Sequence, residues 1–212
     1  MRVDSYVDEE PRRIPQQERG ERRVAQLLEA AGTVIASAGY EAATMSAIAE
    51  RAGAPIGSLY QFFPNKKALT QALRTEYGKD YEAVLEALEK QAKSLSLQQL
   101  AKRLIHVSVQ FVEAHPAFLP LYDAPHSTRS PLTLRQRLRD RLAECLVASQ
   151  IHPPRAKAKR LATIILQLLK GLNQLYAESG PVDRKQVVAE YTVALSAYLA
   201  ARLQQNGHRE EL

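Results

Sequence analysis

Residues 44–63 read TMSAIAERAGAPIGSLYQFF. Thr44 precedes a run of helix formers, and its hydroxyl can accept from the orphan N–H groups of a first turn. Met45, Ile48 and Ala49 then fall on one face at helical spacing. Gly53 breaks the run, because glycine reaches the left-handed conformation that ends a helix without a steric penalty. Pro55 suits the start of a second short helix, where its fixed φ is already helical. In that helix Leu59 and Phe63 stand four apart and share a face. Ala49 and Ala52 are small enough for the two helices to cross closely. Short helix, tight turn and short helix form helix-turn-helix spacing. In such a unit the second helix enters the major groove of DNA, N-terminal residues first. The residues left facing outward are Pro55, Ile56, Ser58, Tyr60 and Gln61, and Gly57 admits a close backbone approach.

The flanking sequence is also helical. Upstream, Val24, Leu27, Leu28, Ala31, Val34, Ile35 and Ala38 recur at helical spacing over 17–38, and Gly39 supplies a C-cap. Downstream, Pro64 ends the second short helix and Asn65 can cap a long one over 66–94. A further helix fits 97–114. The segment 116–131 holds four prolines and is expected to be irregular or briefly helical. Helices follow over 132–149, 155–178 and 184–205, with Pro153-Pro154 and Ser179-Gly180-Pro181 as the breaks. No strand-length alternation of β-branched and polar residues occurs. The expectation is an all-α chain with an N-terminal three-helix unit and a larger helical domain. Its segments are an arm over 1–16, the helix-turn-helix domain over 17–65, a ligand-binding and dimerisation domain over 66–206 and a tail over 207–212.

Composition narrows the function. The 212 residues carry one Cys and a formal net charge of +6. One Cys excludes a disulfide framework or a Cys-rich zinc site and fits a reducing cytoplasm. No apolar run reaches the length of a membrane span, and the N-terminus lacks the apolar stretch of a signal peptide. Residues 11–79 hold ten basic and six acidic side chains, and residues 151–212 hold nine and five. A mild basic excess suits nucleic acid, but at this size it decides nothing alone.

From about Arg19 to Ala83 the chain resembles the DNA-binding domain of TetR/AcrR-type (tetracycline-repressor-like) transcriptional regulators. The resemblance is carried by ASAGY (36–40), TMSAIAERAG (44–53) and GSLYQFFPNKKAL (57–69). It implies that Thr44 caps the first short helix and contacts phosphate. Tyr60 would contact phosphate, Gln61 a phosphate or base edge, and Lys66 a phosphate beside the positive N-terminus of the long helix. Three positions depart from the family pattern. Pro55 and Ile56 stand where Ser and Lys are common, and Ser46 stands where Arg is common. Direct readout is therefore thin in charge, and specificity leans on Gln61, Ser58, apolar contacts and DNA shape. The partner implied is a double-stranded, palindromic operator. The function implied is a homodimeric repressor released by a small-molecule inducer, with no catalytic residue.

The rest of the chain offers weaker signals. Leu161, Ile165, Leu168, Leu172, Val188, Tyr191, Leu195 and Tyr198 belong to two helices apolar on most sides, as expected of a two-fold four-helix dimer interface. His106, Gln110, Phe111, Tyr122, His126, Gln167, Asn173 and Tyr176 are polar or aromatic groups on or near apolar faces, the composition of a small-molecule pocket. The His spacing fits no metal motif, and no metal or cofactor is expected. Cys145 reads as a small core residue. The alternative is a ligand-independent DNA-binding dimer whose larger domain is only a scaffold. A catalytic constellation is not readable.

Overall fold

The computed structural model describes residues 16–124 and 134–203. The expected arm over 1–16 (but for Gln16), His126 and the tail over 207–212 lie outside them. The helices are α1 (Gln16–Ala42), α2 (Met45–Arg51), α3 (Ile56–Phe62), α4 (Lys66–Ala92), α5 (Leu97–Ala114), α6 (Phe118–Asp123), α7 (Leu134–Ala148), α8 (Arg155–Glu178) and α9 (Pro181–Leu203). Among the described residues there is no strand.

The sequence sets most boundaries through its caps. Thr44 and Asn65 accept from the backbone N–H of Ala47 and Ala68, and Ser96 with Gln99 forms a reciprocal capping box. Gly39 interrupts α1 with φ 81° and ψ 164°, and helical backbone continues past it to Ala42. Gly53 has φ 58°, which turns α2 into α3. The proline-rich stretch yields one short helix, α6, among the described residues. Helix α9 starts three residues before the expected Arg184, because Pro181 is tolerated in a first turn.

Two cores form. The N-terminal core holds Leu27, Ala31 and Ile35 of α1, Ile48 and Ala49 of α2, Leu59 of α3, and Leu69 and Leu73 of α4. It also holds Ala117, the N-cap of α6, and Leu121 of α6. The larger core is built from α4, α5, α7, α8 and α9, with Phe118 of α6. Tyr77 packs against both. Helix α6 is fixed by Arg74, which is only 6% exposed. Its Nε donates to the Leu121 carbonyl at 2.9 Å and its Nη2 to the Ala124 carbonyl at 2.8 Å. Burial opposes the guanidinium charge and lowers its pKa; the carbonyl ends of α6 supply compensating negative dipoles.

Helix α7 lies along α4 through ion pairs. Arg137 meets Glu82 at 2.6 Å, and Arg141 meets Glu86 and Glu89. Cys145 is fully buried and its thiol donates to the Leu85 carbonyl; burial pushes its pKa up to about 12. It is the inert core residue expected.

The expected dimer set on α8 and α9 divides by burial within the chain. Leu161, Ile165, Leu172 and Leu195 are buried in the chain's own core. Leu168, Val188, Tyr191 and Tyr198 are half-buried against that core. The large apolar groups most exposed on α8 and α9 are Ile164, Leu175, Val182 and Val193, by 46%, 44%, 77% and 65%. A helix apolar on most sides does not announce which arc faces its own core, and the packing within one chain divides the expected set between core and flank.

Replacing Arg74 by Ala should lower unfolding stability by about 2–3 kcal/mol, because two inward carbonyls lose their charged donor. Urea unfolding of the free protein measures this, and an unchanged midpoint would contradict the clamp.

Candidate nucleic-acid interface and effector recesses

Helix α3 packs on α2 through fully buried Leu59, with Phe63 just beyond its end. At 3.6 residues per turn, Gly57 and Gln61 then stand opposite this buried pair. Both are exposed. Ile56 (42% exposed) and Tyr60 (50%) flank them on one side; half-buried Ser58 and exposed Phe62 flank them on the other. The helix sequence IGSLYQF carries no charged side chain. Phe62 was missed in the sequence reading, although the Leu59/Phe63 spacing already assigns it outward. Pro55 occupies the N-cap of α3 and offers no side-chain hydrogen bond there. Ser46 is exposed on the first turn of α2, beside the Thr44 cap. A Cβ added to Gly57 would meet nothing within 4 Å. The chain's own packing therefore gives no reason for glycine at this position.

Lys66 lies at the first turn of α4. Its Nζ donates to the carbonyls of Tyr40, Glu41 and Ala43 at 2.8, 3.1 and 3.0 Å and stands 4.6 Å from the Tyr40 ring centroid. The three ammonium protons are thus engaged at the end of α1. A phosphate contact would have to displace at least one of these carbonyls.

Two open recesses and a much smaller cavity hold most of the expected pocket residues. His106, Gln110 and Tyr176 line a trough of about 900 Å³ between α5 and α9, joined there by Lys102, Arg184 and Lys185. A neighbouring recess of about 700 Å³ is bounded by Ala36 of α1 and by Val112, Pro116, Leu119 and Pro120. The two share Glu113, Tyr176 and Arg184. There the Tyr176 hydroxyl donates to the Glu113 carboxylate, which raises the phenol's pKa. Arg184 Nε donates to the Tyr176 and Ser179 carbonyls.

Tyr122 and Asn173 line the small cavity instead, with Tyr81 and Ser108. Its volume of about 20 Å³ suits a single water. Asn173 Nδ2 donates to Ser108 Oγ at 2.8 Å, and Ser108 is hydrogen-bonded to Tyr81, whose phenol burial pushes up to about 12. Asn173 Oδ1 has no partner. The expected pocket set is therefore split. Phe111 lines none of these spaces; it stacks in the core between Tyr81 and His115 at 4.4 and 4.2 Å. Gln167 is exposed on the outer arc of α8, with Ile164. Among the described residues no three His, Cys, Asp or Glu side chains cluster as a metal site, and no helix is long and apolar enough to cross a membrane.

Comparison with known proteins decides the family. The profile of bacterial regulatory proteins of the tetR family matches residues 27–73, and that of the tetracyclin repressor-like C-terminal domain matches 96–199. The chain belongs to the TetR family of transcriptional regulators. A TetR-family regulator from Streptomyces coelicolor is 25% identical, covering 85% of this chain and 99% of its own, with a TM-score of 0.66. A gamma-butyrolactone receptor (ArpA-like protein) is 24% identical over 87% of this chain and 99% of its own, with a TM-score of 0.58. FadR from Bacillus subtilis, solved with stearoyl-CoA, shares the fold at 18% identity, covering 84% of this chain and 98% of its own, with a TM-score of 0.60. No protein of curated function matches at a significant level.

This TetR-family chain is thus a DNA-binding transcriptional regulator and not an enzyme. Its helix-turn-helix is braced from behind by Lys66. Replacing Lys66 by Ala should lower unfolding stability in the absence of DNA by about 1–3 kcal/mol, since three carbonyls lose a charged donor. A role confined to phosphate would leave urea unfolding of the free protein unchanged.

Proposed function

We propose that this regulator is a homodimeric, effector-controlled repressor acting in the cytoplasm. Two copies of α3 enter successive major grooves of a palindromic operator. The observation that carries this reading is the outward face of α3: Gly57 and Gln61 at its centre, with Ile56, Tyr60 and Phe62 at its flanks. Gln61 can read a base edge, and the apolar flanks suit thymine methyl groups and sugar faces. With no cation on α3, sequence preference rests on these contacts and on groove shape. Thr44 and Tyr60 are the phosphate contacts proposed, with Ser46 and Ser58 beside them. The larger domain would take a small molecule that binds the DNA-released conformation more tightly, which is the only way a ligand shifts such an equilibrium. The stearoyl-CoA of FadR, and triclosan in the complex of SmeT, a protein of 18% identity, lend this reading support by analogy of fold.

The dimer would form through the outward arcs of α8 and α9. Ile164, Leu175 and Val193 lie there. Such large exposed apolar groups favour a covered surface. In the paired substitution Ile164→Glu with Val193→Glu, sedimentation should show a monomer with unchanged helix content. A persisting dimer would place the interface elsewhere.

The operator reading is tested at Gly57. Gly57→Ala should raise unfolding stability by about 0.5–1 kcal/mol, since alanine is the better helix former and nothing obstructs its methyl. The same change should weaken binding to DNA fragments selected by the native protein at least tenfold. Undiminished DNA affinity would remove α3 from the groove.

A further inference from the structure

The two open recesses meet at one point. Lys102, Arg184 and Lys185, with His106, line the trough between α5 and α9, and among its described lining residues Glu113 is the one carboxylate. That carboxylate is already engaged by the Tyr176 hydroxyl. The trough therefore combines apolar walls, Ile105, Val109 and Val188 among them, with an excess of fixed positive charge. Beyond Tyr176 the second recess has a polar edge, Gln174 and Glu178 of α8, both exposed, and an apolar wall of Val112, Pro116, Leu119 and Pro120. It ends against Pro116, Leu119 and Pro120, with Ala36 of α1 across from them. Leu119 and Pro120 sit within α6, between Ala117 and Leu121 of the reading head's core.

We propose that this double recess binds a single-chain anionic amphiphile. Its head group would lie among Lys102, Arg184 and Lys185, and its hydrocarbon chain would pass Tyr176 to reach α6. The inference rests on the effector-controlled reading above and deepens it by naming site and ligand class. Within the trough charge complementarity selects the anionic head, because a cationic one would meet three like charges and one occupied acid; the further carboxylate, Glu178, lines only the second recess. The volumes of about 900 and 700 Å³ fall in the range of small-molecule sites, whereas the cavity at Asn173 has room for one water only. The chain end would wedge between α6 and α1. It would thereby act on the helix that completes the reading head's core and reach DNA affinity without touching α3.

The test uses the full-length protein without DNA, so that it stands apart from operator binding. Dodecanoate, below its micellar concentration, is titrated calorimetrically. Dodecyltrimethylammonium serves as the cation of equal chain length. The expected result is dodecanoate binding that weakens at least tenfold in the surface double variant Lys102→Glu, Lys185→Glu, with no binding of the cation. A diazirine-bearing analogue of dodecanoate should label residues on α5, α6 and α9. Equal binding by native and double-variant protein, equal binding of the cation, or label confined to the Asn173 cavity would overturn the site. A second arm adds dodecanoate to the protein–DNA complex. Release in the native protein but not in the double variant is expected. Binding at the trough without release would overturn the regulatory role. Failure of the protein to retain any DNA, with trough binding intact, would instead strike the repressor reading alone.

Discussion

The three helices that read DNA do not close a core by themselves. Ala117 and Leu121, more than forty residues beyond Leu73, complete the apolar cluster around Leu27, Ile35, Ile48 and Leu59. Arg74 holds the donated helix in place by binding its terminal carbonyls from within the packed interior. A small three-helix unit buries a smaller share of its surface and is marginal alone; here the larger domain supplies a further side of the core. The consequence is mechanical. Any shift of α6 changes the packing on which α2 and α3 sit, and packed interiors respond as alternative arrangements rather than by continuous deformation. A coupling of about 1–3 kcal/mol, typical of allosteric proteins, is small beside the contacts at this junction.

Charge has a different place in this account from the one its total suggests. The net +6 looks like the footprint of a nucleic-acid binder. Yet Lys66 is turned back onto the end of α1, Arg74 is buried under α6, and Arg137 and Arg141 pair with acids of α4. These cations act inside the protein. The reading helix itself is uncharged, so affinity for the phosphate backbone must come from its neighbours. In the proposed operator complex, discrimination between sequences would fall to Gln61, to apolar flanks and to the absence of a side chain at Gly57.

The order and type of the helices were legible because their caps and apolar stripes are local signals. Thr44 and Asn65 mark starts, and Gly39, Gly53 and Pro64 mark breaks. The outward set on α3 followed from Leu59 and Phe63 in the same way. What the sequence did not show were the long-range choices. Nothing near Lys66 says that its ammonium reaches Tyr40, and nothing near Asn173 says that it meets Ser108 while His106 turns to a different recess. The arcs of α8 and α9 were ambiguous for the same reason. Buried Ile165 and outward Ile164 are adjacent and equally apolar, and only tertiary packing separates them.

Amide hydrogen exchange of the full chain, free and bound to a DNA fragment selected by the protein itself, tests the central claim most directly. The claim is that α3 meets DNA on a support completed by α6. Bound DNA should slow exchange across residues 44–62 and also across 118–123, which touch no DNA. Slowing confined to α8 and α9, or absent from α3, would contradict it.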